Sequence, residues 1–369
     1  MQDLVPAFDI AEICERLESE AYRLSGKTIL LTGARGFLGR YFLEVFRQLN
    51  ETVLSEPVRI IGLDNLITGT EMTGDIPHVR FIEHDVTRPL EIADPIDYVI
   101  HAAGIASPTY YRLYPLETMD VAIAGTRRML DLAVKKQARF TFFSSSEIYG
   151  DPDSRHVPTP ESYRGHVACQ GPRACYDESK RVGETLCYVY HSHLGAHTNV
   201  IRPFNVYGPG MMKKDYRVLP NFAGRIIDGQ PLSIYGSGNQ TRTFCYITDA
   251  IVGFLLVALK GQAGEAYNIG TTTPEVSMLD LVGTIERVLG RTIAKEIIDY
   301  PSNYPGDEPN RRCPDIGKAL LHLGYEPQVG LDQGLKRFLV WAFENFEGAE
   351  LKMRRRAHAG MDDRRAASA

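Results

Sequence analysis

Short apolar runs alternate with helical patterns along the first half of the chain. The apolar runs are KTILLTG, VRIIGL, VRFIEH, YVIHAA, RFTFFSS and TNVIRPF. Amphipathic segments such as TRRMLDLAVKK and YDESKRVGETLCYVYHSHL lie between most of them. This alternation is typical of a parallel sheet with helices on both faces. We therefore predict an α/β fold built on a doubly wound parallel sheet.

Two regions of different character flank the alternating segment. Residues 1–26 have the pattern of a helical extension that packs on the following domain. Its apolar side carries Ile10, Ile13, Leu17 and Tyr22. After residue 203, Gly, Pro and aromatic residues crowd NVYGPGMM and LSIYGSGNQTRTFCY, which indicates irregular structure. We predict a first domain over 27–203, a smaller substrate-binding region over 204–348 that partly returns to the sheet, and a disordered tail over 349–369.

Composition narrows the class of protein. The 369 residues are 44% hydrophobic and 24% charged, which is typical of a globular protein in water. The net charge of −5 argues against general nucleic-acid binding. No apolar stretch approaches the ~20 residues of a membrane span. The six cysteines have no paired short spacing, so we expect reduced thiols in a cytoplasmic protein rather than a metal site or a disulfide framework.

A glycine-rich turn follows the first apolar run. Gly33, Gly36 and Gly39 have G-x-x-G-x-x-G spacing between a buried-strand pattern and the helical pattern FLGRYFLEVFRQL. Such a turn lets the backbone approach a pyrophosphate, whose charge then lies at the N-terminus of the following helix. The alternative is a tight strand-to-helix turn without a ligand. The context favours a Rossmann-type dinucleotide site.

Residues at the ends of the next apolar runs fit the same cofactor. A carboxylate at Asp64 can accept hydrogen bonds from ribose hydroxyls and repel a 2′-phosphate, which favours NAD over NADP. A strand-end turn aspartate is the competing interpretation. Asp85 stands at the next strand end, where it could bind an adenine amino group. Ala102, Ala103 and Gly104 offer small side chains where a backbone must pass close to the cofactor.

The run GPRACYDESKRVGE carries the clearest signal for chemistry. Tyr176 and Lys180 lie four residues apart and would share one face of a helix. A lysine ammonium near a phenol lowers the tyrosine pKa from its usual ~10. We therefore predict that Tyr176 is a general base and that Lys180 adjusts its pKa.

A serine-rich segment follows the strand RFTFF, at the sheet edge where ligands bind in this fold. Ser145 could hydrogen-bond a sugar hydroxyl and the phenol of Tyr176. Glu147 could act as a second acid or base, or orient the substrate. The alternative is a serine-rich strand end in which Glu147 caps the next turn.

Basic and aromatic residues of the later region are candidates for substrate binding. The guanidinium of Arg242 in GNQTRTFCY suits a carboxylate or a phosphate, although a solvated loop arginine is the alternative. Tyr235 in SIYGSG is well placed for a base or a ribose, whereas His101 is expected to be a packed polar residue. Further basic candidates for a diphosphate are Arg217, Arg225, Arg311 and Arg312.

Six motifs occur in order between about residue 27 and residue 346: TGARGFLG, DNLITG, SSSEIYGDP, YDESK, RPFNVYGPGM and YGSGNQTRTFCYITDA. Together they resemble the extended short-chain dehydrogenase/reductase family that modifies nucleotide sugars. Within that family, SSSEIYGDP, GHVACQGPRACYDESKRVGET and GNQTRTFCYITD most resemble the UDP-glucuronate decarboxylases. The resemblance implies NAD as cofactor, a homodimer, and conversion of UDP-glucuronate to UDP-xylose or its 4-keto intermediate. A 4-epimerase or 4,6-dehydratase using the same chemistry is the alternative, and a non-enzymatic NAD-sensing relative is a further one.

The resemblance also implies roles for individual residues. Tyr176 and Lys180 match the base pair, and Ser145 takes the place of the usual Thr or Ser. Ser146 and Glu147 match the Ser-Glu pair of the decarboxylases. The implied contacts with substrate are Asn205, Tyr235, Arg312 and, at the carboxylate, Arg242. We also predict substrate contacts at Ser107 and Arg217. Further cofactor contacts are predicted at Phe37, Leu38, Asn65, Thr68, Gly69, Val86, Pro203 and Val206.

The chain departs from the family pattern in the helix after the fourth strand. Decarboxylases of this group usually carry a lysine and an asparagine where TMDVAIAGT has Asp120 and Ala122. Tyr110 stands where an asparagine is common. Because these positions line the sugar pocket in the family, the departures bear on which sugar acid is bound.

Overall fold

Fourteen strands and eleven α-helices are described in the structure, a computed structural model that covers residues 4–69, 75–300 and 309–346. The strands are β1 (Thr28–Thr32), β2 (Arg59–Asp64), β3 (Val79–Glu83), β4 (Tyr98–His101), β5 (Arg139–Phe143), β6 (Thr198–Pro203), β7 (Val206–Tyr207), β8 (Leu232–Tyr235), β9 (Thr241–Arg242), β10 (Cys245–Tyr246), β11 (Ala266–Ile269), β12 (Val276–Ser277), β13 (Lys295–Ile298) and β14 (Arg311–Arg312). The helices are α1 (Ala7–Leu17), α2 (Phe37–Thr52), α3 (Pro108–Leu113), α4 (Pro115–Asp120), α5 (Thr126–Lys136), α6 (Ala174–Leu194), α7 (Val218–Ile227), α8 (Ile247–Lys260), α9 (Met278–Leu289), α10 (Gly317–Leu323) and α11 (331–346).

The main sheet has seven parallel strands in the order β3-β2-β1-β4-β5-β6-β11. The six predicted apolar runs form β1 to β6, so the predicted α/β fold with a doubly wound parallel sheet is confirmed. The order of these six strands is that of a Rossmann-type sheet. The seventh strand, β11, comes from the region after residue 204. The predicted domain boundaries stay a prediction, and the predicted tail 349–369 lies outside the described residues.

Alternate residues of each central strand enter different cores, because successive side chains of a strand point to opposite faces. In β1, Ile29 and Leu31 pack with α2 and α8, whereas Leu30 packs with α5 and α6. All five residues of β1 are buried. This two-sided burial explains why the strands appear in the sequence as continuous apolar runs rather than as alternating ones.

The N-terminal helix α1 covers the outer side of α8, as the sequence predicts for this extension. Ile10, Ile13 and Leu17 are buried against the core. The buried carboxylate of Asp9 accepts hydrogen bonds from the hydroxyls of Tyr41 and Tyr246, each at 3.1 Å. The prediction for Tyr22 is wrong, since this side chain is 60% exposed. Helix α1 ends at Leu17 and a 3₁₀ segment follows, which turns the later side chains to different directions.

The region after β6 adds short sheets next to the main one. Strand β7 pairs with β10, β8 pairs with β13, and β9 lies between β12 and β14. Within the parallel pair β9 and β14, Arg242 is the register partner of Arg312. None of the helices in the described ranges has the length and apolar character needed to cross a membrane.

Candidate functional site

A cavity of about 540 Å³ lies along the edge of the main sheet where the parallel strands end. Residues that follow β1, β2, β4, β5 and β6 line it, together with Tyr176 and Lys180 of α6. Because all these strands run parallel, their carboxyl ends meet at one edge. The topology therefore brings together segments that are far apart in the chain.

The glycine-rich turn closes tightly between β1 and α2. Gly33 has φ +70°, and a Cβ there would lie 2.9 Å from the carbonyl oxygen of Ala102. A Cβ on Gly39 would lie 2.3 Å from the carbonyl oxygen of Gly33. Helix α2 begins at Phe37, and the N-terminus of the helix reaches the cavity through Gly36, Phe37 and Leu38. This is a turn whose backbone N–H groups and helix dipole suit a pyrophosphate.

Two carboxylates stand at the ends of the neighbouring strands. Asp64 Oδ2 accepts a hydrogen bond from the backbone N–H of Arg35 at 2.8 Å, and Oδ1 accepts one from Leu66 at 2.9 Å. Asp85 Oδ1 accepts from the backbone N–H and the hydroxyl of Thr87. Asp64 is thus held against the glycine turn at the cavity wall, the place predicted for a ribose contact.

The residues predicted for cofactor contacts from the sequence all line this cavity. They are Gly33, Gly36, Phe37, Leu38, Gly39, Asp64, Asn65, Thr68, Gly69, Asp85, Val86, Ala102, Ala103, Gly104, Tyr176, Lys180, Pro203 and Val206. Among the residues predicted for substrate, Ser107, Asn205, Arg217 and Arg312 line it as well. The buried Oγ of Ser107 has no hydrogen-bond partner within the described part of the chain.

Tyr176 and Lys180 are both buried on the cavity side of α6. Lys180 Nζ donates to the carbonyl oxygen of Phe143 at 2.8 Å and lies 5.7 Å from the centre of the Tyr176 ring. The ring of Tyr111 stacks on Tyr176 with centroids 5.2 Å apart. A Cβ on Gly104 would lie 3.1 Å from Lys180 Nζ, so this glycine leaves room for the ammonium.

Burial dominates the pKa values of this pair. It raises the pKa of Tyr176 to about 12, although hydrogen bonding from Ser145 acts in the opposite direction. Burial also lowers the pKa of Lys180 to about 8, against the charge of Glu184. The net shift of the Tyr176 pKa is therefore upward in the protein alone, and the predicted lowering by Lys180 stays a prediction. Desolvation penalises the phenolate more than the hydrogen bond of Ser145 and the charge of Arg217 stabilise it.

Glu147 forms the centre of an ionic cluster beside Tyr176. Both its oxygens accept from the fork of Arg312, at 2.7 and 2.6 Å, and Oε2 also accepts from Arg173 Nη2. Burial alone would raise the pKa of Glu147, but the charges of Arg312, Arg173 and Arg242 outweigh it and lower the pKa. Glu147 is therefore a fixed anion, which does not support the predicted role as a second acid or base.

The serine segment that precedes Glu147 is held by its own turn. Ser145 Oγ accepts from the backbone N–H of Glu147 at 3.2 Å, and Ser146 opens a 3₁₀ turn that runs to Tyr149. The cap is thus supplied by Ser145 rather than by Glu147. Ser145, Ser146 and Glu147 all line the cavity.

Two predicted substrate residues lie outside the cavity lining that the described residues form. Arg242 donates to the carbonyl oxygens of Thr241, Pro309 and Asn310, at 2.8, 2.7 and 3.4 Å. Its charge helps to lower the pKa of Glu147, and it is the register partner of Arg312 in the neighbouring strand. Tyr235 instead stacks on Tyr300 with ring centroids 5.8 Å apart. The predicted direct contacts of Arg242 and Tyr235 with substrate are therefore not supported by this geometry.

The other basic candidates divide in the same way. Arg217 lies at the cavity and is held by Asp215 through contacts of 3.0 Å from Nε to both carboxylate oxygens. Arg225 donates to the carbonyl oxygen of Pro231, and Arg311 pairs with Glu275. Among the four arginines suggested for a diphosphate, only Arg217 and Arg312 belong to the lining that the described residues form.

Sequence reasoning missed Arg173. This arginine lies in the same motif as Tyr176, three residues earlier, and its side chain is only 9% exposed. Its Nε lies 3.6 Å from Asp177 Oδ2, so it bridges two carboxylates. A basic residue directly before the helix that carries the predicted catalytic tyrosine was the available signal.

The departures from the family pattern occupy different places. Tyr110 and Asp120 line the cavity, together with Glu117, whereas Ala122 is buried. Residues Val121–Gly125 form a π-helical turn after α4.

Next to this turn His101 is fully buried, and its ring nitrogens contact Thr32 Oγ1 at 2.8 Å and Thr126 Oγ1 at 3.2 Å. Burial lowers the pKa of His101 to about 3, so it is the packed neutral residue that the sequence indicated.

Comparison with known proteins adds the relationships of the chain. The model of the NAD dependent epimerase/dehydratase family matches residues 29–270. UDP-glucuronic acid decarboxylase 1 from Xenopus tropicalis is 39% identical over 325 residues, which cover 87% of this chain and 73% of that protein. UDP-glucuronic acid decarboxylase 5 from Arabidopsis thaliana is 38% identical over 323 residues, which cover 86% of this chain and 90% of that protein.

Solved structures give the same relationship at lower identity. The structure of UDP-glucuronic acid 4-epimerase from Bacillus cereus, in complex with UDP-glucuronic acid and NAD, superposes with a TM-score of 0.71 at 26% identity. The match covers 86% of this chain and 99% of that one.

Proposed function

The chain belongs to the NAD dependent epimerase/dehydratase family, and we propose that it is an NAD-dependent carbon-carbon lyase acting on a nucleotide-linked uronic acid. The substrate we propose is UDP-glucuronate, and the product is UDP-xylose or the 4-keto intermediate that precedes it. The observation that carries this proposal is the pair of guanidinium groups on Glu147, one of which lines the cavity that also holds Tyr176 and Ser145. A sugar carboxylate requires such a partner, whereas a neutral sugar does not.

The residues at the sheet edge fit NAD. Gly33 and Gly39 leave no space for a Cβ, so the backbone itself forms the wall that a pyrophosphate would approach. Asp64 presents a carboxylate where a ribose of NAD would lie. The buried hydroxyl of Ser107 has no hydrogen-bond partner among the described residues, so a bound ligand could supply one. When bound, NAD supplies a hydride acceptor and a positive charge on its nicotinamide ring.

Tyr176 takes the proton from the C4 hydroxyl of the sugar in this proposal. Its raised pKa means that the phenolate must be stabilised by groups that gather around it in the complex. Ser145 supplies a hydrogen bond, and the ammonium of Lys180 lies on the same helix face one turn away. Lys180 also keeps its carbonyl contact with Phe143, which fixes its position relative to the end of β5.

Decarboxylation follows from the chemistry of the oxidised sugar. A ketone at C4 makes the C6 carboxylate that of a β-keto acid, so the C5–C6 bond breaks and its electron pair passes to the enolate. The donors closest to that enolate are the hydroxyls of Tyr176 and Ser145. Arg312 lines the cavity and is the guanidinium that we assign to the carboxylate, while Arg242 adds positive charge near Glu147.

The test is product analysis with purified protein. With UDP-glucuronate we expect release of carbon dioxide and a nucleotide pentose or keto-pentose by mass spectrometry. UDP-glucose and dTDP-glucose serve as neutral controls and should lose no carbon. Absence of carbon dioxide from every nucleotide-linked uronic acid tested would rule out the decarboxylase.

The second candidate is a 4-epimerase of the same substrate. It is favoured by the superposition on the Bacillus cereus UDP-glucuronic acid 4-epimerase, whose structure is in complex with UDP-glucuronic acid and NAD. The two reactions differ in the fate of C6. Formation of UDP-galacturonate without carbon dioxide would select the epimerase.

We also propose that the protein is a homodimer in a reducing compartment, the cytoplasm. Helices α3, α4 and α6 expose apolar side chains on the molecular surface, namely Leu113, Leu116, Met119, Val182, Tyr188 and Val189. A second copy covering them would remove this apolar area from water. All six cysteines are free thiols. A monomer mass in light scattering would contradict the dimer.

A further inference from the structure

Arg173 joins the helix that carries Tyr176 to the turn that carries Glu147. Its backbone carbonyl accepts hydrogen bonds from the N–H groups of Tyr176, at 2.9 Å, and Asp177, at 3.1 Å. Its guanidinium donates to Glu147 Oε2. The side chain is 9% exposed and does not belong to the cavity lining formed by the described residues. One buried residue thus fixes the first turn of α6 and one oxygen of Glu147 at the same time.

The two arginines that bind Glu147 stand in different positions. Arg312 lines the cavity and gives its whole fork to Glu147, with Nη1 on Oε1 and Nη2 on Oε2. Its buried Nε has no hydrogen-bond partner in the part of the chain that the structure describes. Arg173 contacts Oε2 from outside the lining. The cavity-facing arginine is therefore the one that a ligand can reach, and the other can stay in place.

A substrate carboxylate would compete with Glu147 for the fork of Arg312. If Arg312 turned to that ligand and nothing else held Glu147, a buried carboxylate would lose its compensating charge, which is strongly unfavourable. The contact with Arg173 reduces this energetic penalty, because Glu147 Oε2 keeps a guanidinium partner while Arg312 binds the substrate.

We propose that Arg173 is a positioning residue, which holds Glu147 in place and ionised while Arg312 exchanges Glu147 for the carboxylate of the substrate. This inference rests on the proposed function, because it requires a sugar acid as substrate. It goes beyond that function by assigning the selectivity for the acid to an exchange between three side chains.

The charged groups around Glu147 set the sign of the expected pH effect. Arg312 and Arg242 face it from β14 and β9, Asp177 and Tyr176 from α6, and Tyr111 from α3. Burial raises the pKa of Asp177, and the charge of Glu147 adds to this increase. Burial would also raise the pKa of Glu147 if the arginine charges did not outweigh it. Loss of Arg173 therefore raises the pKa of Glu147, and activity that needs the ionised form is lost at a higher pH.

The experiment compares Arg173→Gln and Arg173→Lys in the NAD-loaded protein, with UDP-glucuronate as substrate and carbon dioxide release as the readout. Arg173→Gln should lower kcat/KM by about 100-fold, since a misplaced group of this kind costs that much. The acidic limb of its pH profile should move up by about one unit or more. Arg173→Lys should keep the limb near the wild-type position, because it keeps the charge.

Binding separates this inference from the proposed function. The dissociation constant of UDP-glucuronate should rise in Arg173→Gln, whereas that of UDP-glucose should stay near wild type. The matched control is Arg287→Gln, which removes an exposed arginine that pairs with Asp332 on α11 at 3.1 Å. It should change neither constant.

Three outcomes are decisive. An unmoved acidic limb in Arg173→Gln, with equal weakening of both nucleotide sugars, would show a merely structural residue and overturn the proposal. If Arg173→Gln does not fold, the acidic limb of the pH profile and the two dissociation constants are measured for Arg173→Lys instead. A severely impaired Arg173→Lys that binds both nucleotide sugars equally weakly would also overturn the proposal. Wild-type protein that binds UDP-glucuronate but releases no carbon dioxide refutes the decarboxylase, and the binding comparison still tests Arg173.

Discussion

The Tyr176–Lys180 pair and the Glu147 cluster lie side by side at one cavity, yet opposite forces control their charges. In the pair, burial is the larger effect: it raises the pKa of Tyr176 to about 12 and lowers the pKa of Lys180 to about 8. In the cluster, the guanidinium charges outweigh burial and keep Glu147 ionised. The protonation of the pair therefore depends on what binds next to it, whereas the charge of Glu147 is set by the arginines of the protein.

This difference suggests a division of work. A buried phenol and a buried ammonium can move protons when a charged cofactor arrives, which is what oxidation of any sugar hydroxyl requires. Two arginines on one carboxylate select the charge of the ligand instead, because one of them, Arg312, lines the cavity and can bind a carboxylate there. We infer that the pair starts the reaction and that the cluster decides which sugar enters and what becomes of its ketone.

The largest effect should come from the pair. Tyr176→Phe removes the group that takes the C4 proton, and we expect oxidation to fall by roughly 1,000-fold, within the range for a lost general base. Bound NADH and carbon dioxide should fall together. The matched control is Tyr111→Phe, which removes a hydroxyl from the ring stacked 5.2 Å away and should lose far less. Near-normal turnover of Tyr176→Phe would remove this residue from the central role.

The next effect separates the cluster from the pair. Glu147→Gln should lower carbon dioxide release by roughly 100-fold because it disturbs the position of Arg312. The first oxidation, followed through the absorbance of bound NADH in a single turnover, should change much less. If both steps fall equally, the comparison between the two clusters fails, since Glu147 would then serve the oxidation as well.

The control for that variant is Glu275→Gln. Glu275 pairs with Arg311 and accepts from Thr241 one strand away from the cavity. The same chemical change is made there without touching the lining. Stability should fall in both variants, because an arginine loses its partner, but only Glu147→Gln should change the ratio of oxidation to carbon loss.

The same comparison explains what could be predicted from the sequence. The strand runs, the glycine turn and the Tyr176–Lys180 spacing are local patterns, so the sheet and the pair could be read directly. The cluster joins Glu147 to Arg312, 165 residues later, and its geometry depends on the register of β9 with β14. No local pattern contains that register. The motif resemblance therefore pointed to Arg242 for the carboxylate, although Arg242 is used to bind backbone carbonyls.

Arg242→Ala tests that reassignment. Its guanidinium donates to the carbonyls of Thr241 and Pro309, so its loss should destabilise the loop by about 1–3 kcal/mol for each buried carbonyl left unpaired. We expect kcat/KM to fall about 10-fold, which corresponds to a loss of about 1.4 kcal/mol of transition-state stabilisation. The fall should be equal for UDP-glucuronate and for the oxidation of UDP-glucose. Thermal unfolding and the two rates are the measurements. A much larger loss for the acid would restore Arg242 as the carboxylate ligand.

The smallest effect should come from Asp120, which departs from the family pattern and lines the cavity with its carboxylate exposed. The charge of Glu147 is buried, whereas the charge of Asp120 is in contact with water and is screened by salt. Asp120→Lys should therefore lower KM for UDP-glucuronate by only about three-fold, with kcat unchanged, since exposed charge interactions contribute about 0–1 kcal/mol. The effect should be greater for UDP-glucuronate than for UDP-glucose and should vanish near 1 M salt, where the screening length is about 3 Å. Glu91→Lys makes the same charge change at an exposed position outside the cavity lining. An equal response of the two variants would mean that net charge alone matters and that Asp120 does not face the sugar.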